Sequence, residues 1–230
     1  MSLKVLSAGA VKRGVAHLCT AFERNTGSKV EVEFTQVPKM RKRIAAGESA
    51  DVLVATAGAM DEFSASGKIA PATRALLGRS RVGVVVHKNA SAPDVADTEA
   101  FKRALLAATA VVHNDASSGV YIAALLEKLG LKAQLGDRII VVNSGAAIIA
   151  KVAELAPGAI GMGQISEIMV MIDKGLDVKF VAPMPDAIQN VSTYYAAVTV
   201  ASTNPNAAVA LAREFTSDAA KKIFAATGID

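Results

Sequence analysis

The chain has 230 residues, 52% of them apolar and 20% charged, with a formal net charge of +4. That is apolar material for one large domain or for two of about 100 residues each. Lys and Arg are scattered rather than arrayed with aromatics, which argues against nucleic acid as a partner. Cys19 is the only cysteine, so an intrachain disulfide and a Cys-based zinc site are excluded, and no run reaches the ~18 apolar residues of a membrane span.

In chain order, short β runs alternate with helical patterns, the signature of an α/β protein with parallel sheets. KVLSA is a predicted strand, followed by a helix over 11–25 that stops at Gly27. VEVEF (30–34) alternates apolar and acidic residues as a half-exposed strand does, and Pro38 then opens the helix PKMRKRIAAG at its first position. DVLVAT (51–56) and the helix AMDEFSASG come next, and RVGVVVHKN (81–89) is a strand that leaves this first set of elements. Beyond Pro93 the pattern predicts helices over 98–108, 119–129, 145–155 and 165–174, alternating with the strands AVVHN, RIIVV and AIGMG. VKFVAP (178–183) and TYYAAVTVAS (193–202) run back, and helices over 205–217 and 218–226 rejoin the first set.

This order predicts two α/β lobes, residues 1–82 with 198–230 and residues 83–197, joined by crossing strands near 82–86 and 194–199. In such folds ligands bind where strand C-termini and helix N-termini converge, so a cleft between the lobes is the expected site.

One unit recurs along the chain: an apolar strand, a turn of very small residues, then a helix start. It appears as KVLSAGAVKRG (4–14), AVVHNDASSGVYIA (110–123) and IIVVNSGAAIIA (139–150). Small residues let backbone N–H groups approach a ligand, and the first turn of a helix leaves its N–H groups without intrahelical acceptors. With the helix dipole added, each turn is a seat for an anion. The repetition points to a protein that holds a small, negatively charged molecule.

Several other residues carry expectations. Cys19 reads as an inert core residue and His17 as part of the same apolar face. His87 falls on the crossing strand, and Tyr194 and Tyr195 on the returning one either line the cleft or pack. Asp51 and Asp115 read as turn or cap residues rather than a metal pair. No G-x-S-x-G, G-x-x-x-x-G-K-[ST] or H-E-x-x-H pattern is present, GAIGMGQ lacks the full dinucleotide fingerprint, and neither a metal nor a cofactor is expected. The N-terminus has no basic segment followed by an apolar stretch. The chain as written therefore reads as cytoplasmic, or as periplasmic if a leader has been removed ahead of Leu3.

Strand-SAGAV-helix, then GxxVEVEF and AGESADVLVAT, resembles the type II periplasmic binding proteins, in particular the molybdate-binding group. SSGVYIAALLEKLGL and the ending DAAKKIFAATGI match as well, so the resemblance runs from Lys4 to Ile229. It implies a two-lobed fold, each lobe a mainly parallel sheet flanked by helices, with the crossing strands as hinge. It also implies a receptor that grips an oxyanion with backbone amides and hydroxyls, without a metal, and passes it to an ABC permease if exported. Some proteins resembling this group are aconitate isomerases, which move a double bond in a tricarboxylic acid by a proton shift.

The resemblance has gaps at the residues that would grip molybdate. The family's first-turn serine falls on Ala10, its second Ser-rich turn is Gln36-Val37-Pro38, and its cleft tyrosine falls on Gln164. Losing hydroxyl donors around a buried dianion costs on the order of 1–3 kcal/mol for each group left unsatisfied. What stands nearby instead is cationic: Lys12, Arg13, Lys39 and Arg41, with Lys39 and Arg41 nearest the second helix start. Cations beside amide donors suit a small di- or tricarboxylate better than molybdate.

The expected ligand-binding residues are Gly9, Ala10 and Val11 as backbone donors, with Gln36, Lys39 and Arg41 from the second turn. Ser117, Ser118, Gly119, Ser144, Gly145 and Gln164 complete the set from the second lobe. The expected function is binding of a small anionic solute. The alternative is an isomerase of aconitate type acting in the same cleft, with His113, at the end of AVVHN, as the residue to consider for moving the proton.

Overall fold

The computed structural model describes residues 2–230. By its contacts the chain divides into two compact units, Met1–Ser80 with Ser192–Asp230, and Arg81–Val191.

In unit 1, β1 (Ser2–Ala8) lies between β2 (Lys29–Thr35) and β3 (Val52–Thr56), all parallel, and β9 (Val191–Val198) runs antiparallel along β3. A 3-10 turn over Gly9–Val11 leads from β1 into α1 (Lys12–Thr26), and α2 (Val37–Ala45) and α3 (Ala57–Ala65) follow β2 and β3. α1 ends where Gly27 takes a left-handed backbone, φ 70°, and its N–H closes on Glu23 O. Pro38 occupies the second helical position of α2 rather than the first, since the helix opens at Val37.

The last two helices, α9 (Pro205–Glu214) and α10 (Asp218–Ala225), pack on this sheet, and Leu211, Phe215 and Phe224 join Leu3, Val5 and Leu53 in one core. Gly14 is the contact point of α1 with α10: a Cβ there would stand 2.4 Å from the Phe224 ring. His17 does not join this core. It is exposed, because the buried stripe of α1 runs through Gly14, Val15, Leu18, Cys19 and Phe22 and position 17 falls beside it. Cys19 is buried, and burial pushes its thiol up to about 12, with Glu23 adding to the shift. At the far edge Asp51 accepts from Lys4 N (2.8 Å) and Ser202 Oγ (2.6 Å), tying β1 to the segment before α9.

The chain enters unit 2 within β4 (Ala75–His87), which begins well before the expected start at residue 81. Unit 2 is a sheet in the order β8-β4-β7-β5-β6, with β5 (Ala110–Asn114), β6 (Ile139–Val142) and β7 (Ala159–Gln164) parallel to one another. β4 and β8 (Val178–Pro183) run antiparallel to their neighbours. One face is covered by α4 (Thr98–Ala107) and α5 (Ser117–Lys128), with Phe101, Leu105 and Ile122 over Val82, Val84 and Val111. A short helix, α6 (Lys132–Leu135), follows α5. The other face is covered by α7 (Gly145–Glu154) and α8 (Ile165–Asp173), through Ile148, Ile149, Val152 and Ile168. Those two helices sit close because their lane on the sheet is glycine. A Cβ on Gly161 would meet Val152 at 2.8 Å, and one on Gly83 would meet Ile165 at 2.8 Å.

The return crossing lies between Val191 and Ser192, at the start of β9 rather than near residue 198. The reason is pairing: β9 matches β3 from Val52↔Val198 to Thr56↔Tyr194, and that ladder draws Tyr194–Ala197 into unit 1. Where β4 enters unit 2, the Gln189 side chain acts as a strand partner. Its Oε1 accepts from Val82 N (2.9 Å) and its Nε2 donates to Val82 O (3.1 Å) and Met184 O (2.9 Å).

Candidate functional site

Parallel pairing gathers the small-residue turns at one edge of each sheet. In unit 1 the register Ala8↔Thr35 puts the turn Gly9–Val11 beside the start of α2. Gly9 and Ala10 are partly buried there, while Val11 is 1% exposed and belongs to the core. Ser7 turns its hydroxyl onto its own chain, donating to Ala8 O at 3.2 Å.

The cations of this edge divide by partner. Arg41 is held by α3, donating from Nε to Glu62 Oε2 (2.7 Å) and from Nη2 to Glu62 Oε1 (2.9 Å). Lys39 is exposed on the first turn of α2 and forms no ion pair among the described residues. Lys12, at the start of α1, lies with its ammonium 5.3 Å from the centroid of Phe34 on neighbouring β2, again with no acidic partner among the described residues. Gln36 is exposed at the N-cap of α2. Lys4, Arg43, Glu33 and Glu48 form a separate charge cluster, in which Arg43 and then Lys4 hold the Glu48 carboxyl down at about 2. Of the two tyrosines on β9, Tyr194 is buried in the core, and the Tyr195 ring carries the Arg74 guanidinium at 4.1 Å.

In unit 2 the register Asn114↔Val142 aligns the ends of β5 and β6, and Val112↔Gly161 brings Gly163 of β7 level with them. The starts of α5, α7 and α8 therefore share one edge, which brings together Ser117, Ser118, Gly119, Ser144, Gly145 and Gln164. Ser118, Gly119, Gly145 and Gln164 are buried, Ser144 is partly buried and Ser117 is exposed. Ser144 caps α7, its Oγ accepting from Ala147 N at 3.2 Å. Gly119 is needed for the β5–α5 turn to close: a Cβ there would fall 1.7 Å from Asn114 O. His113 sits on interior strand β5, 4% exposed, with Nδ1 at 2.9 Å from Asn114 O.

The residue that sequence reasoning missed is Glu167. It lies in the first turn of α8, but its carboxylate packs on the first residue of α7, so closely that a Cβ on Gly145 would stand 1.6 Å from Oε2 and 2.8 Å from Oε1. Among the described residues nothing forms a hydrogen bond or ion pair with it, and burial alone pushes its carboxyl up to about 7. The preceding residue, Ser166, is 3% exposed, and its Oγ likewise has no partner among the described residues. Sequence offered one signal: a glycine opening α7, where a side chain would otherwise bar close approach.

No cluster of metal-ligating side chains occurs among the described residues, and no described helix is long and apolar enough to cross a membrane. A cavity of about 370 Å³ lies at the opposite end of unit 2, lined by residues such as Ala100, Arg103, Ala104, Gly158 and Ala159, away from the starts of α5, α7 and α8.

Strand order and helix placement are those of the type II periplasmic binding proteins, and solved structures of that class match nearly the whole chain. The periplasmic molybdate-binding protein of Azotobacter vinelandii aligns with a TM-score of 0.78 at 19% identity, over 99% of this chain and 98% of that one. The tungstate ABC transporter protein of Geobacter sulfurreducens aligns at 0.75 and 17%, over 98% of each chain. The sulfate-binding protein of Mycobacterium tuberculosis aligns at 0.78 and 18%, over 100% of this chain and 86% of that one. The sequence model described as "Bacterial extracellular solute-binding protein" matches residues 3–230, and the chain belongs to that family. A curated relative, an aconitate isomerase of a Pseudomonas species, is 31% identical over 233 residues, covering 96% of this chain and 85% of that protein.

Proposed function

We propose that this member of the solute-binding family takes a small di- or tricarboxylate, held by backbone amides at helix starts. The observation that carries the reading is the cationic edge of unit 1, where Lys12 and Lys39 have no acidic partner among the described residues, beside a turn that carries Ala10 rather than a hydroxyl side chain. Carboxylate groups match that set: amides at the helix starts donate to one end of the ligand and ammonium groups neutralise the rest. Arg41 contributes only if it leaves Glu62. A receptor of this kind would deliver its ligand to an ABC permease.

The 31% identical relative favours a second reading, in which the bound tricarboxylate is also isomerised. A thermal-shift panel tests the ligand class, because a ligand at about 100 times its Kd adds about 2.7 kcal/mol to stability. Citrate or trans-aconitate is expected to raise the melting temperature, and molybdate, tungstate and sulfate to leave it unchanged. A shift with molybdate and none with the carboxylates contradicts the proposal. Ultraviolet absorbance of trans-aconitate incubated with the protein separates binding from double-bond movement.

A further inference from the structure

Glu167 has a placement that anion binding does not explain. A carboxylate beside an anion seat repels the ligand, and a structural carboxylate would be expected to collect hydrogen-bond donors. Glu167 has none among the described residues, although it lies against the opening residue of α7 and shares its edge with the starts of α5 and α8. The two flanking features are equally specific. Gly145 admits the carboxylate where any side chain would exclude it, and Ser166 buries a hydroxyl that has no partner among the described residues.

We propose that Glu167 is a catalytic residue, the group that takes and returns the proton in a 1,3-shift on an unsaturated tricarboxylate bound at the helix starts. This rests on the second reading above. In the step, an oxygen of Glu167 forms an O–H bond as a C–H bond of a substrate methylene, next to a carboxylate, breaks. The electron pair moves through the adjoining carbon–carbon double bond, and the proton is delivered to the far carbon of the three-carbon unit. The double bond ends one position along, Glu167 ends as it began, and no oxidant, reductant or co-reactant is consumed. The developing negative charge is stabilised by the amides at the starts of α5 and α7. A carboxyl held near neutrality by burial is suited to both halves of the transfer, whereas His113 already has Nδ1 committed to Asn114 O.

The test is trans-aconitate in deuterium oxide, followed by NMR for double-bond movement and for exchange of the methylene protons. It is run on wild type, Glu167→Gln and Glu167→Asp, with calorimetric binding of the same compound to each. Wild type is expected to turn over, and Glu167→Gln to bind within about threefold of wild type yet lose turnover and exchange by about 10²–10⁴-fold. Glu167→Asp keeps the charge, and its shorter reach is expected to leave activity between the two. If wild type turns over and a folded Glu167→Gln matches it, the proton carrier is another group and the isomerase reading survives. If wild type binds trans-aconitate without turnover or exchange, the isomerase reading fails and the role of Glu167 fails with it. Should Glu167→Gln melt early, full activity in Glu167→Asp together with an unchanged pH–rate profile would equally overturn the assignment.

Discussion

In unit 1, the edge where β1, β2 and β3 end carries Lys12, Lys39 and Arg41. In unit 2, the edge where β5, β6 and β7 end carries Ser117, Ser118, Ser144 and Gln164, with no Lys or Arg in the first turns of α5, α7 and α8, and two carboxylates, Asp115, exposed in the β5–α5 turn, and Glu167 against α7. The backbone plan is shared, parallel strands each giving way to a helix through a turn of small residues. The side chains divide the work. Unit 1 brings positive charge, much of it exposed and therefore screened by salt within about 10 Å. Unit 2 brings buried hydrogen-bonding groups and a titratable one in a poorly solvated place, where electrostatic effects are larger.

That contrast can be broken most severely at the glycines. Gly119→Ala would drive a Cβ to within 1.7 Å of the Asn114 carbonyl, whereas Gly58→Ala in α3 meets nothing within 4 Å. By denaturant unfolding, Gly119→Ala is expected to lose about 3 kcal/mol or more, and Gly58→Ala to be neutral or to gain about 0.5 kcal/mol. Equal, small effects would mean that the turn of unit 2 is not closed as described.

The next effect in size belongs to Glu167. Burial raises its pKa from 4.5 to about 7 in the folded chain. Below 4.5 the group is neutral in both folded and unfolded chains, and above 7 it is ionised in both. The folded state therefore carries a cost that grows as pH rises through that window and reaches roughly 3 kcal/mol above it. Urea unfolding of Glu167→Gln against wild type is expected to show a stabilised variant at pH 8 and little difference at pH 4. A difference that does not change with pH would place the carboxylate in water.

Smaller effects separate the cations of unit 1. Lys12→Ala is expected to weaken binding of a tricarboxylate by roughly tenfold at low salt, and less at high salt. Arg41→Ala breaks a surface pair with Glu62 and is expected to change stability by only about 0.5 kcal/mol, with binding little altered. A larger loss of binding for Arg41→Ala would show that Arg41 leaves Glu62 for the ligand.

Much of this was legible in the sequence. The α/β alternation, the helix stop at Gly27 and the turns at 9–11, 117–119 and 144–145 follow from local chemistry, small residues between an apolar strand and a helix start. What escaped depended on contacts between segments distant in sequence. Arg41 looked free at the start of its helix until Glu62 of α3 came alongside. Glu167 in ISEIMV reads as an ordinary acidic residue in a first turn, and only the packing of α8 on α7 sets it against Gly145. The chain returns to unit 1 between Val191 and Ser192 rather than near residue 198, because Tyr194–Val198 of β9 pair with β3, which a strand read in isolation does not reveal. His17 is a different lesson. Its neighbours Val15, Leu18 and Cys19 are apolar, but position 17 lies beside the stripe they form rather than within it.

The central proposal is that backbone amides at the helix starts bind a carboxylate anion. An amide-resolved NMR titration of the labelled protein with citrate tests it most directly. The proposal predicts the largest perturbations at the helix starts, Gly9–Val11, Ser117–Gly119 and Ser144–Gly145. Perturbations gathered instead around Arg103, Gly158 and Ala159, at the cavity on the far end of unit 2, with the helix starts unmoved, would contradict it.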